Sequence, residues 1–254
     1  MKEVTNAQEL AVKVPQLTLA FWVVKVLATT LGETGGDTLS MSLNLGYLMS
    51  TGIFAALFVA AVIAQVKARQ FKPVIYWATM IATTTVGTTM ADFADRSLGI
   101  GYTGGSVLLL TLLMASLMTW KRTLGSISVD SVSSPASELF YWVTILFSQT
   151  LGTALGDWTA DTAGRGYEGA ALIFAGGLAL TALAYYRTRV SRTLLFWAAF
   201  ILTRPLGAVV GDFLDKPLSA GGLGLSRFGA TLVLLVGIAV LMVLFRQQPA
   251  RSHH

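Results

Sequence analysis

Apolar residues arrive in long blocks separated by short polar punctuation. Charge-free stretches run from Thr38 to Val66, Val74 to Ala91, Ser97 to Trp120, Leu139 to Gly156, Gly169 to Tyr186 and Phe228 to Phe245, each of 18 residues or more. Crossing a hydrocarbon core of about 30 Å takes roughly 20 helical residues, so six spans follow directly. Two further apolar stretches are each interrupted by one charge: Leu17 to Gly32 contains Lys25, and Thr193 to Gly211 contains Arg204. The pattern predicts an all-α membrane protein of eight transmembrane helices in a single membrane domain over residues 1–250.

Aligning the blocks on tryptophan exposes a repeat. The pattern aromatic-Trp-x9-Gly-x4-Asp occurs as Phe21-Trp22…Gly32…Asp37, Tyr76-Trp77…Gly87…Asp92, Tyr141-Trp142…Gly152…Asp157 and Phe196-Trp197…Gly207…Asp212. With glycine about a tenth of the chain and aspartate about a thirtieth, a chance match is on the order of one in 300 per tryptophan. The first three copies continue to Gly46-Tyr47, Gly101-Tyr102 and Gly166-Tyr167, and the fourth is displaced, at Gly224-Leu225. The repeats read as 15–67, 72–121, 137–187 and 192–246, with extra residues in the polar linker Ser126 to Ser137. Each unit is expected to be a helical hairpin that returns to its starting side. Four tandem hairpins of one orientation then have parallel pseudo-symmetry about the membrane normal. In this motif the chain resembles a family of bacterial membrane proteins built of four tandem two-helix repeats with a recurring tryptophan and no assigned function. The resemblance implies the fold and a bacterial inner membrane, and it implies no chemistry.

Composition agrees with the block pattern. The chain is 54% hydrophobic and 12% charged, has no cysteine, and has a mean hydropathy of +0.66. Soluble domains carry about 25% charged residues, which excludes a soluble enzyme, and the missing cysteines exclude a zinc module or a disulfide scaffold. A net charge of +5 would ordinarily suggest nucleic acid, but the basic residues follow topology instead. Twelve of the eighteen lie in the loops on the side of both termini, among them Lys13, Lys67, Arg69, Lys121, Arg122, Arg187 and Arg246. The positive-inside rule places both termini in the cytoplasm. No nucleic-acid partner is expected. The first sixteen residues lack a cleavable signal pattern, and residues 251–254 read as a tag remnant, so His253 and His254 are set aside.

The motif carries the candidate chemistry. Fifteen residues from Trp to Asp span roughly 22 Å of helix, so a tryptophan in the inner interfacial belt puts its aspartate in the outer third of the bilayer. The pairs Gly32/Gly36, Gly87/Ala91, Gly152/Gly156 and Gly207/Gly211 have the spacing that lets helices approach closely. Two acids at helical spacing end each odd-numbered helix: Glu33/Asp37, Asp92/Asp95, Asp157/Asp161 and Asp212/Asp215. Like charges so close, at a helix C-terminus, require compensation. Arg96 and Lys216, four residues after Asp92 and Asp212, offer local ion pairs. A bound cation or proton is the other solution, and both remain open at this point. Lys25 and Arg204 are functional candidates because charges within spans are rare. Arg204-Pro205 is expected to break the seventh helix at mid-membrane. At equivalent places stand Thr29-Thr30, Thr84-Thr85 and Gln149-Thr150, a polar layer two turns inside the aspartates, from which Thr30, Thr85, Gln149 and Thr150 join Lys25 and Arg204 as binding or coupling candidates.

A ring of carboxylates selects cations, and an all-oxygen donor set favours hard ions over zinc or copper. The leading expectation is a secondary transporter or exporter of Mn, Mg or Ca, open to proton coupling, with the eight acids as metal ligands and no permanently bound cofactor. The run Glu33-Thr34-Gly35-Gly36-Asp37-Thr38 resembles the Glu-x-Gly-Asp-Lys/Arg-Thr/Ser motif of a calcium/manganese exchanger family, without its basic residue and with one glycine more. The Gly-x-Gly-Asp of intramembrane aspartyl proteases is not matched, since Thr34, Thr89, Ala154 or Val209 stands three before each aspartate, and no enzyme is expected. The alternatives are a non-transporting receptor or scaffold and a transporter of small organic cations. The expected partners are the lipid bilayer and a cation or small-molecule substrate, with homo-oligomers left open.

Overall fold

The computed structural model describes residues 12–250. Among these residues are eight α-helices: α1 (Leu19–Asp37), α2 (Gly46–Lys67), α3 (Pro73–Asp92), α4 (Gly101–Leu124), α5 (Pro135–Asp157), α6 (Gly166–Arg187), α7 (Arg192–Asp215) and α8 (Arg227–Leu244). Side-chain caps at Thr18, Ser134 and Ser226 start α1, α5 and α8, and proline occupies the first turn of α3 and α5. The recurring Gly-Tyr has a backbone cause. Gly46, Gly101 and Gly166 each open an even-numbered helix at φ between 64° and 73°, a left-handed conformation that glycine adopts without strain. The tag-like residues 251–254 and the start of the polar N-terminal segment lie outside the described residues.

Four helices form a closed square. α1 packs on α3, α3 on α5, α5 on α7 and α7 back on α1, while α2, α4, α6 and α8 lie outside. The inner helices run in the same direction, so one end of the square carries the tryptophans and the segments 12–18 and 245–250, and the other carries the aspartates. Six helices, α2 and α4 to α8, are long and apolar enough to cross a membrane. This corrects the expectation of eight: α1 and α3 do not qualify, because one carries Lys25, Glu33 and Asp37 and the other a run of threonines from Thr79 to Thr89. Those polar groups are buried inside the square, whereas the outer helices expose leucine and valine on their outer faces.

The hairpin expectation also needs revision, because the two helices of one repeat barely touch. Each outer helix packs on the inner helix of the next repeat, α2 on α3, α4 on α5 and α6 on α7, and α8 closes the circle on α1. The motif glycines supply the inner contacts with the same cyclic rule. A Cβ at Gly32 would run into Thr84, at Gly87 into Gln149, at Gly152 into Arg204 and at Gly207 into Thr29. Each contact joins the residue ten after one tryptophan to the residue seven after the next.

Three of the four motif tryptophans pack into the protein interior. Trp77, Trp142 and Trp197 are buried, and each motif aromatic contacts the tryptophan of the following copy. Ring centroids lie 5.5 Å apart for Phe21–Trp77, 5.5 Å for Tyr76–Trp142, 6.4 Å for Tyr141–Trp197 and 6.0 Å for Phe196–Trp22. A hydrogen bond of 2.7 Å between the Tyr76 and Tyr141 hydroxyls helps close this aromatic floor. Beneath it the segment from Val12 to Gln16 is held by an ion pair of 2.6 Å between Lys13 and Glu138.

Close helix approach at the glycines predicts asymmetric responses to alanine. A Cβ at Gly87 would meet Gln149 Cβ and Thr150 N at 3.0 Å, so the neighbouring backbone must move. Gly87→Ala is expected to destabilise by about 1–3 kcal/mol. Gly52, in an exposed stretch of α2 with nothing within 4 Å, is the control. Gly52→Ala is expected to be neutral or to stabilise by up to about 1 kcal/mol through helix propensity. Thermal unfolding of the purified protein in detergent measures both.

Candidate functional site

Looking along the square from its aspartate end, three layers of polar groups succeed one another. The outermost contains the motif aspartates Asp37, Asp92, Asp157 and Asp212, one from each inner helix and all buried. Two bases bridge them in pairs across repeat boundaries. Lys216 Nζ lies 2.9 Å from Asp212 and 2.7 Å from Asp37, joining copy four to copy one. Arg96 lies 3.1 Å from Asp92 and 3.0 Å from Asp157, joining copy two to copy three. The local pairs expected from the sequence exist, but each base also reaches the next copy. Only the even copies carry this base, so the outer layer has twofold rather than fourfold character.

Further groups fix the bases. The hydroxyls of Tyr47 and Tyr102 accept from Arg96 at 3.1 and 3.0 Å, which gives the recurring tyrosine a role. Arg227, at the start of α8, bonds Asp215 at 2.9 Å and approaches Asp37 at 3.8 Å. Burial alone pushes the Lys216 ammonium down, but Asp212, Asp37 and Asp215 outweigh it and hold its pKa above the ordinary lysine value. Lys216 therefore stays a charged counter-ion.

One turn further in, Arg204 occupies the axis. Its guanidinium donates to Glu33 Oε2 at 3.0 Å and to the hydroxyls of Thr88 and Thr153, both at 2.5 Å. It thus ties α7 to α1, α5 and the diagonally opposite α3. α7 is continuous through Pro205, contrary to the expected break. The proline ring faces Gly152, whose missing side chain leaves room for both Arg204 and Pro205. Deeper still, Lys25 is fully buried above the Phe200 ring, 4.1 Å from its centroid, and has no hydrogen-bond partner among the described residues.

The remaining candidates divide. Thr30, Thr85 and Thr150 bond carbonyls of their own helices, Val26, Ile81 and Leu146, at 2.9–3.0 Å. Their neighbours do the inter-helix work: Thr29 bonds the Thr203 carbonyl at 3.1 Å, and Gln149 donates to the Met80 sulfur at 3.4 Å. The second acids of the motif do not form a matching ring. In the first three copies the chain widens into a π-helical turn after the aspartate, at Thr38–Ser42, Phe93–Ser97 and Trp158–Thr162, which changes the helical register. Asp161 is exposed, Asp215 is held by Arg227, and Asp95 is buried with neither carboxylate oxygen hydrogen-bonded among the described residues.

The acids therefore form buried clusters engaged in salt bridges, not a free coordinating ring. Seven buried acids, the four motif aspartates with Glu33, Asp95 and Asp215, share the interior with five bases, Arg96, Arg204, Lys216, Arg227 and the deeper Lys25. Two trios of carboxylates, Glu33–Asp37–Asp92 and Asp37–Asp212–Asp215, bring ligand oxygens within 4.8 Å of one another, close enough to share one ion.

Four consecutive segments, residues 20–71, 75–126, 140–191 and 195–248, match a family described as a repeat of unknown function (DUF347), and the chain belongs to that family. No curated protein and no solved structure gives a significant match.

The Arg204 arrangement predicts a double-mutant signature. Glu33→Gln leaves a buried guanidinium without its carboxylate and is expected to cost about 3–5 kcal/mol. Glu33→Gln combined with Arg204→Met removes both charges and regains much of that loss. Unfolding of the two single variants and the double variant measures the coupling, and additive losses would show that the pair carries none.

Proposed function

Starting from a repeat family without assigned chemistry, we propose that this chain is a secondary transporter or exporter of a hard divalent cation, Mn, Mg or Ca, which it takes at the outer carboxylate cluster. In this reading it crosses a bacterial inner membrane eight times with both termini in the cytoplasm. α1 and α3 cross although their sequences are too polar to do so alone, because their polar groups face the square and the outer helices stand between them and lipid.

The observation that carries the reading is the imbalance of seven buried acids against five bases, Lys25 included. Two uncompensated charges at low dielectric are costly, and a divalent ion in a carboxylate trio balances them. Oxygen is the only donor type in the cluster, which suits hard cations. Lys216 and Arg96 act as tethered counter-ions that hold the aspartates between binding events. An arriving ion competes with them, so binding and release are exchanges of one cation for another. Inward passage along the axis is barred in this conformation by Arg204, Lys25 and the aromatic floor. Transport requires the Glu33–Arg204 pair to leave the axis, and open coupling to protons fits the paired acids.

A second reading, a non-transporting receptor or scaffold, draws on the fact that each motif aspartate already has a basic partner. The two readings separate on one variant. If Lys216 is a competing counter-ion, Lys216→Gln exposes Asp37 and Asp212 to the ion. Its apparent affinity for Mn or Mg then rises, and the ion restores the thermal stability lost with the lysine. If the pairing is only structural, no divalent ion rescues the variant. In proteoliposomes, Asp157→Asn and Asp212→Asn are each expected to lower cation flux on the order of tenfold or more. Trp158, beside Asp157 and 37% exposed, provides a fluorescence report of binding that the buried tryptophans do not. Normal folding of both variants with no cation movement in the wild type would favour the scaffold.

A further inference from the structure

We infer that the groove between the start of α1 and the end of α8 is a binding site for one anionic phospholipid of the leaflet facing the chain ends. Three of the four seams between an outer and an inner helix are closed by a connecting segment: Lys67 to Pro73, Leu124 to Pro135 and Arg187 to Arg192. The fourth, α8 against α1, joins parts of the chain that are not continuous in sequence. Backbone hydrogen bonds hold it, from Gln16 N to Gln248 O at 2.9 Å and from Ala250 N to Val14 O at 2.8 Å.

At this seam a groove of about 760 Å³ opens outward. Leu19, Val23, Leu241 and Leu244 form its walls, and Arg246 and Gln247 lie at its polar end. Leu19 is 81% exposed and Leu244 69%, so the walls face the surroundings and not the core. Among the described residues no acid lines the groove and Arg246 has no ion pair. A hydrocarbon-lined channel ending in a guanidinium and an amide matches one acyl chain below one phosphate. Basic pockets between transmembrane helices on the cytoplasmic side bind such headgroups, and the guanidinium fork suits phosphate oxygens. The groove is separate from the carboxylate cluster, so this inference stands whether or not the chain transports cations.

The absence of cysteine makes a site-directed test direct. Val23→Cys places a bimane label inside the groove, and Val107→Cys, on the exposed face of α4, places one outside it. Nitroxide-bearing phosphatidylglycerol and phosphatidylcholine are then compared as quenchers in nanodiscs. The groove label is expected to be quenched at severalfold lower mole fraction of phosphatidylglycerol than of phosphatidylcholine, and the α4 label equally by both. Arg246→Gln should abolish the preference, and Leu244→Trp, which fills the groove, should reduce quenching by either lipid. Equal quenching of the groove label by the two lipids, or a preference that survives Arg246→Gln, would overturn the assignment.

Discussion

A guanidinium on the axis of a four-helix square has to be satisfied by the other helices at once, and the rest of the architecture is arranged around that demand. A buried guanidinium is costly unless a counter-ion and hydrogen-bond acceptors surround it. α1 provides the carboxylate of Glu33, while α3 and α5 provide the hydroxyls of Thr88 and Thr153. This accounts for the departure of α1 and α3 from ordinary spanning composition: their polarity is directed at the axis. It also accounts for Gly152, which makes room for the arginine and for the proline that follows it.

The helices, the repeat and its period were legible in the sequence because each rests on local spacing: apolar block length, the tryptophan-to-aspartate interval and the turn glycines. The packing partner of each helix was not, because a two-helix repeat reads equally well as a self-contained hairpin or as one that lends its outer helix to the next copy. The acids stand out in the sequence as the unusual groups, and the bases four residues after Asp92 and Asp212 read as their partners. What no local pattern contained was the second arm of each bridge, Arg96 to Asp157 and Lys216 to Asp37, since those contacts cross between copies. The layer eleven residues after the tryptophan, Glu33, Thr88 and Thr153, was the one available signal for the Arg204 cage. It appears only when the copies are stacked and read by column. Pro205 reads as a helix break in the sequence because the glycine that accommodates its ring, Gly152, stands on another helix.

The site combines two symmetries that differ in what they control. Backbone packing and the aromatic floor follow a fourfold rule, one contact per copy around the circle. Charge in the outer layer follows a twofold rule, with the bridging bases only on the even copies, and Lys25, Glu33, Arg204 and Arg227 break even that on the α1–α7 side. A scaffold that repeats four times thus presents inequivalent carboxylate groupings, and the asymmetry is written in a handful of side chains while the helices stay equivalent.

Packing each outer helix on the following repeat has a consequence for how the chain is made. During synthesis, α2 leaves the ribosome before the surface it is to cover exists, and it must wait in lipid for α3. Its strongly apolar sequence suits that wait. α1 is in the reverse position, since its covering helix, α8, is the last to emerge. Until then the polar face of the first helix lacks both its neighbour α7 and its outer shield. Assembly of this molecule is therefore a closing of first upon last, in which the earliest helix inserted is the latest to reach its final surroundings.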